Sequence, residues 1–153
     1  MSSDSEKRRR VTGLKTTKNF IALPKACLNH SNYLGLSAYA VKLLLDIYVQ
    51  YSGFNNGDFN CTWSLMKKRG WKSESTLNKV KKELLNTGWI ILTRQGGKNR
   101  CSLYAVSFQS IDDCKGKLDI PTTNTAPGNW KNNKSLLREM EQLTTPPVLK
   151  AVK

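Results

Sequence analysis

With 153 residues the chain suits a single domain with tails, and a domain of that size buries roughly 60–70% of the surface its unfolded chain exposes. Its 25 Lys and Arg against 11 Asp and Glu give a formal charge of +14, which points to a polyanionic partner, although solubility or loose affinity for any polyanion is the plainer reading. No run of about 18 apolar residues is present, so no transmembrane helix is expected, and no apolar core follows the basic N-terminus as a secretory signal requires.

Met1 to Lys18 is rich in Ser, Lys and Arg with almost nothing to bury, and is expected to be disordered in isolation. Arg8, Arg9 and Arg10, with Lys7, Lys15 and Lys18, form an arm that would follow a phosphate backbone or enter a minor groove. An ordinary solvated tail explains the same composition. Phe20 to Leu23 reads as a short extended segment, and Pro24 suits the first position of a small helix ending near His30. Asn32 to Gly35 reads as a connection. Ser37 then caps the best-defined helix of the chain, which runs to about Tyr51. Apolar residues cover more than half of its circumference and only Lys42, Asp46 and Gln50 form a polar stripe, so it is expected at the centre of the core. Its excess apolar surface would lie against the N-terminal helix, the C-terminal segment or another copy of the protein. Gly53 to Gly57 breaks it, and Asp58-Phe59-Asn60 is a candidate strand with Phe59 pointing inward.

Thr62 to Arg100 holds most of the charge, ten basic residues against Glu74 and Glu83, whereas Asn19 to Cys61 is balanced. Thr62 is a candidate cap for a short helix with Leu65 and Met66 facing inward. Gly70 supplies a left-handed turn position, and Ser73 caps a second helix that stops at Gly88. Glu74 suits the positive end of that helix's dipole. Winding at about 100° per residue puts Leu77, Val80 and Leu84 on one face and Ser75, Thr76, Asn78, Lys79 and Lys82 on the other. This is the arrangement of a helix-turn-helix whose second helix enters a DNA major groove. Trp89 to Thr93 and Cys101 to Phe108 are β-prone runs, and the turn Gln95-Gly96-Gly97-Lys98-Asn99 between them makes a hairpin. With Arg94, Lys98 and Arg100 at its tip and shoulders, the hairpin would be a basic wing. The expected fold class is α+β: a winged helix-turn-helix, mainly α, with a small antiparallel β-hairpin wing. Trp63, Trp71 and Trp89 bracket the two motif helices and are expected to pack at helix ends rather than stack on bases.

Ile111 to Lys134 reads as an irregular extension lying partly on the core, with Ile120 and Trp130 as anchors. Ser135 to Leu143 has the spacing of one short amphipathic helix, which must dock on the domain or pair with a partner. The expected division is therefore a basic arm over 1–18, a winged-helix domain over 19–109 and an extension over 110–153 with a helix at 135–143.

Thr76-Leu77, Val80, Leu84, Gly88, Trp89 and Ile90 resemble the Thr-Val…Ala…Leu…Gly-Leu-Ile frame of bacterial winged-helix regulators. The turn Gly70-Trp71-Lys72-Ser73 departs from it, being one residue longer than the usual Gly-Val-Ser. Phe20-Ile21-Ala22-Leu23-Pro24, Leu36-Ser37-Ala38-Tyr39-Ala40-Val41 and Asn55-Asn56-Gly57 look like the helix-turn-helix proteins common on plasmids, phages and integrated elements. The resemblance covers roughly residues 20 to 108 and implies double-stranded DNA as partner, in a bacterial cytoplasm at the nucleoid.

On this reading Ser75, Thr76, Asn78, Lys79 and Lys82 are the base-edge candidates. Lys67, Lys68, Arg69, Lys72, Lys81, Lys98 and Arg100 would contact phosphates. Arg94, Gln95, Lys98 and Asn99 on the wing would reach backbone or the adjacent minor groove. A solvated polar side chain is the alternative for each. Cys27, Cys61, Cys101 and Cys114 are expected to be free thiols, mostly buried. Cys27-x-x-His30 has no second pair for zinc, and His30 is expected at the surface or as a cap. With no phosphate-binding Gly loop, no second histidine and no carboxylate cluster, no enzyme, metal, cofactor or small-molecule ligand is expected, and Asp112-Asp113 reads as a turn feature. Three functions stay open: a transcriptional regulator of a mobile element, a replication or partition factor at an origin, and a protein-interaction module meeting an acidic partner. A homodimer is also open, with half-sites about 34 Å apart and the central and 135–143 helices as contacts.

Overall fold

The structure, a computed structural model, describes residues 20–132; the arm carrying Arg8, Arg9 and Arg10 and the expected helix at 135–143 lie outside the described residues. Two single-turn helices, α1 (Lys25–Leu28) and α2 (Ser31–Leu34), lead into the longer α3 (Ala38–Tyr48). Strand β1 (Phe59–Asn60), helices α4 (Trp63–Lys68) and α5 (Glu74–Asn86), and the hairpin of β2 (Ile90–Arg94) and β3 (Leu103–Val106) follow in that order. The architecture is α+β, with five helices and one antiparallel three-stranded sheet of order β1-β3-β2 among the described residues.

Helix α3 starts at Ser37 because the Ala40 N–H donates to the Ser37 hydroxyl at 3.2 Å, satisfying one of the donors a first turn leaves open. Ala40, Leu43, Leu44, Ile47 and Tyr48 are buried and make α3 the centre of the core. The helix stops at Tyr48, short of the expected Tyr51. Its apolar excess is only partly covered, since Leu45 and Val49 remain 40% and 47% exposed. Nor is its polar stripe a solvated one. Gln50 serves the edge of β1, its Nε2 donating to Asn60 O at 2.8 Å and its Oε1 accepting the Asn60 N–H at 2.9 Å. The amide thus stands in for a missing neighbouring strand.

Two expectations upstream are corrected. Pro24 precedes α1 as its cap, with ψ 135°, rather than lying inside the first turn. Asn32 to Gly35 is no plain connection, because His30 Nδ1 accepts the Asn32 N–H at 3.1 Å and caps the helical turn α2. Asn32 is itself buried. Its side-chain amide donates to Thr87 O at 2.9 Å and Trp130 O at 2.7 Å, tying α2 to the end of α5 and to the extension.

In the sheet, Phe59 pairs with Tyr104 and Asn60 with Leu103, and the Phe59 ring is fully buried, as its inward orientation required. Strand β3 is shorter than the β-prone run Cys101 to Phe108 that contains it, and β2 is displaced by one residue from the run Trp89 to Thr93. After β3 the chain crosses back over the core. Trp130 is buried and stacks on Trp89, with ring centroids 5.3 Å apart and planes 19° from parallel. Such a pair contributes about 0.5–1.5 kcal/mol beyond the area it buries. The crossing passes directly over Gly88, where a Cβ would lie 2.5 Å from Asn129 O. Gly88 is therefore required both for the left-handed stop of α5 (φ 78°) and for the passage of the extension. Ile120, the other expected anchor, is only half-buried.

Candidate nucleic-acid interface

Helices α4 and α5 are joined by a turn whose geometry follows from three residues. Gly70 has φ 89°, a conformation that only glycine adopts without strain. Trp71 turns inward and is 5% exposed, which takes up the added length of the turn. The Ser73 hydroxyl accepts the Thr76 N–H at 3.3 Å and opens α5. Thr62 occupies the cap position of α4 with an extended backbone, but its side chain does not cap; its hydroxyl lies 3.3 Å from that of Ser64. Met66 is buried and Leu65 half-buried, as their inward positions required.

Asp46 of α3 locks this turn in place. The Trp71 Nε1–H donates to its Oδ2 at 2.8 Å and the Arg69 Nε–H to its Oδ1 at 2.8 Å, while Lys42 Nζ donates to Oδ2 and to Arg69 O. Burial alone would raise the Asp46 carboxyl, yet the hydrogen bonds from Lys42, Trp71 and Arg69 together outweigh it and hold the group below the ordinary carboxylate value. Arg69 is thus also a brace, exposed but with its guanidinium anchored on α3 through Nε.

The faces of α5 separate cleanly. Leu77, Val80 and Leu84 are buried against α3 and the sheet. Ser75, Asn78, Lys79 and Lys82 are exposed. Thr76 departs from the expected set: it is half-buried and turned towards Tyr39 and Lys42 of α3. Glu83, on that same side, accepts from Ser37 N at 2.8 Å and Ser37 Oγ at 2.7 Å, so one of the two acids of the segment is bound at the start of α3. Lys81 points the other way, half-buried with its Nζ 5.9 Å from the centre of the Tyr104 ring.

The hairpin is shaped by its irregularity. A bulge between Leu92 and Arg94 turns Thr93 inward, where its hydroxyl donates to Gly57 O at 2.6 Å. Arg94 then folds across the hairpin and donates to Cys101 O at 3.0 and 3.3 Å. Asp119, in the extension, braces the same base. It accepts from Gln95 N at 2.8 Å and from Arg100 Nη2 at 3.0 Å, and its own N–H donates to Thr93 O at 2.8 Å. Arg94 and Arg100 are accordingly structural as well as cationic. Lys98 and Asn99 stand exposed at the tip, where Gly97 and Arg100 form a bridge and Asn99 takes a left-handed φ of 61°. Gln95 is exposed too.

Helix α5 and the hairpin share one open groove. Glu74 and Asn78 line its helix side, Cys101 and Ser102 its hairpin side, Thr62 and Trp63 its end, and Leu77, Lys81 and Tyr104 its floor. The exposed lysines around it and on α4, the turn and the hairpin are Lys67, Lys68, Lys72, Lys79, Lys82 and Lys98, and Arg69 and Arg100 are exposed too but ion-paired. Glu74 was legible in the sequence only as a dipole partner; its place beside Asn78 depends on which flank of α5 meets the hairpin. Trp63 at the groove end is likewise half-exposed, unlike the buried Trp71 and Trp89.

Among the described residues no group of His, Cys, Asp and Glu is placed to hold a metal ion, and no helix is long and apolar enough to cross a membrane. Comparison with protein-family models, with curated proteins and with solved structures finds no match for the chain.

Proposed function

We propose that the protein binds double-stranded DNA sequence-specifically as a winged helix-turn-helix, with α5 in the major groove and the hairpin as the wing beside it. One observation carries this reading. The amphipathic helix α5 buries its apolar stripe and turns a Lys- and Asn-bearing face outward, and the groove at the Asn78 edge of that face has the hairpin as its other wall. A B-DNA major groove is about 12 Å wide and admits one helix. The acids that would repel phosphate are mostly occupied: Asp46 by Arg69 and Trp71, Glu83 by Ser37, Asp119 by Arg100. The lysines are left to set the field of the face. Regulation of a mobile element's genes is the role we favour for such binding, on the sequence resemblance.

The test is the salt dependence of binding to a short random duplex, followed by fluorescence anisotropy. Six exposed lysines neutralising about six phosphates, with Lys79 and Lys82 counted for their charge whether or not they also reach base edges, give a log–log slope of about −5. A slope near zero would falsify the proposal.

A further inference from the structure

Among the described residues, Glu74 is a carboxylate on this face with no ion-pair partner. It is exposed, lies in the groove between α5 and the hairpin, and is followed four residues later on the same flank by Asn78. A lone carboxylate facing a polyanion is repelled by every phosphate near it, and gains only where a base presents an amino hydrogen without a neighbouring acceptor. In the major groove that base is cytosine, whose N4 amino group stands alone; adenine places its N7 acceptor beside N6 and repels a carboxylate. The carboxamide of Asn78 has the complementary preference, pairing its donor and acceptor with adenine N7 and N6.

We infer that Glu74 and Asn78 are the specificity-determining pair of the site, Glu74 selecting cytosine and Asn78 adenine. The inference rests on the DNA-binding reading. Four residues of helix span about 6 Å, so the two bases fall within two base-pair steps at the roughly 3.4 Å rise of a strand. Glu74 acts by exclusion as much as by attraction, because at any other base its charge is left unpaired in the groove. The lysines supply affinity for any duplex; the pair decides which duplex is kept. A first-turn carboxylate also complements the helix dipole, and the experiment separates that role from reading.

Bound fragments are selected from a random duplex pool with the wild type, Glu74→Gln, Glu74→Ala and Asn78→Ala, alongside thermal melts of each. The wild type is expected to return a motif containing cytosine and adenine within two steps. Glu74→Gln is expected to change that cytosine to adenine, since a carboxamide grips N6 and N7, and Glu74→Ala to leave the position free. Against the wild-type site, replacing the cytosine should weaken wild-type binding roughly ten- to hundred-fold and Glu74→Ala binding hardly at all. A dipole role would lower the melting temperature of the variants and leave the selected motif unchanged. The same motif from wild type and Glu74→Gln overturns the inference, as does salt-dependent binding without any selected motif, and both outcomes leave DNA binding standing. Absence of salt-dependent binding by the wild type overturns the DNA-binding reading and this inference together.

Discussion

Replacing Asp46 tests whether the turn between α4 and α5 is held by one buried carboxylate. Asp46 is 6% exposed and accepts from three side chains. In Asp46→Ala the Trp71 Nε1–H, on an indole that is 5% exposed, loses its acceptor, at a cost of about 1–3 kcal/mol for one orphaned buried donor. Arg69 and Lys42 have side chains 38% and 43% exposed and can regain water, so their loss falls well below the 3–5 kcal/mol of a fully buried pair and adds about 1 kcal/mol. The expected total is about 2–4 kcal/mol, a large part of the roughly 5–15 kcal/mol that holds a domain of this kind. Urea unfolding followed by tryptophan fluorescence measures it. The pH dependence provides a second reading. Since the folded carboxyl lies below its ordinary value, its contribution is complete above the unfolded pKa of about 3.9 and disappears as pH falls through the lower folded value. The stability gap between wild type and Asp46→Asn should therefore be flat from about pH 6 to 8 and close progressively below about pH 4. A loss under about 0.5 kcal/mol, within the range of ordinary surface substitutions, or a gap that persists in acid, would refute the reasoning.

Gly88→Ala should cost more than Gly70→Ala, although both residues are left-handed. At Gly70 a Cβ meets nothing within 4 Å, whereas at Gly88 it meets the Asn129 backbone at 2.5 Å. The first change is expected to cost about 1 kcal/mol of backbone strain, and the second also to displace Trp130 from Trp89, visible as a change in tryptophan emission. Equal melting temperatures for the two variants would contradict the account. Lys79→Ala with Lys82→Ala should flatten the salt slope of DNA binding by about 2 while leaving the melting temperature nearly unchanged; an unaltered slope would remove α5 from the interface. Among the thiols, burial pushes Cys61 up to about 11 and also raises Cys27. A thiol reagent at neutral pH should titrate the half-exposed Cys101 readily. Cys114, raised by burial and by Asp58 and Asp112, should follow more slowly, and Cys27 and Cys61 should react only on unfolding. Four equivalent thiols in the native protein would overturn that order.

The regular elements were legible because each carries a local signal. Ser37 and Ser73 are caps whose hydroxyls need only the next turn of their own helix, and Gly70 and Gly88 mark left-handed positions that depend on local backbone. The spacing of Leu77, Val80 and Leu84 identifies a buried face regardless of what covers it. The helical turn α2 was missed because its cap is a histidine, whose ring nitrogen does what Ser or Asp ordinarily does.

Local signals are silent on which partner a side chain takes across the fold. Lys42, Asp46 and Gln50 form a polar stripe in the sequence whatever lies opposite. Only the packing of the turn and β1 against α3 makes Asp46 a lock and Gln50 the neighbour of a strand. Arg69, Arg94 and Arg100 have the same composition as free cations, and only the positions of Asp46, Cys101 and Asp119 bind them. Charge and period are properties of the chain taken residue by residue, so the cationic helix and the basic hairpin were written in the sequence itself. Which cations stay free, and that Glu74 and Asn78 face the hairpin, depend on contacts between residues distant in the chain, and these come into being only when the core closes.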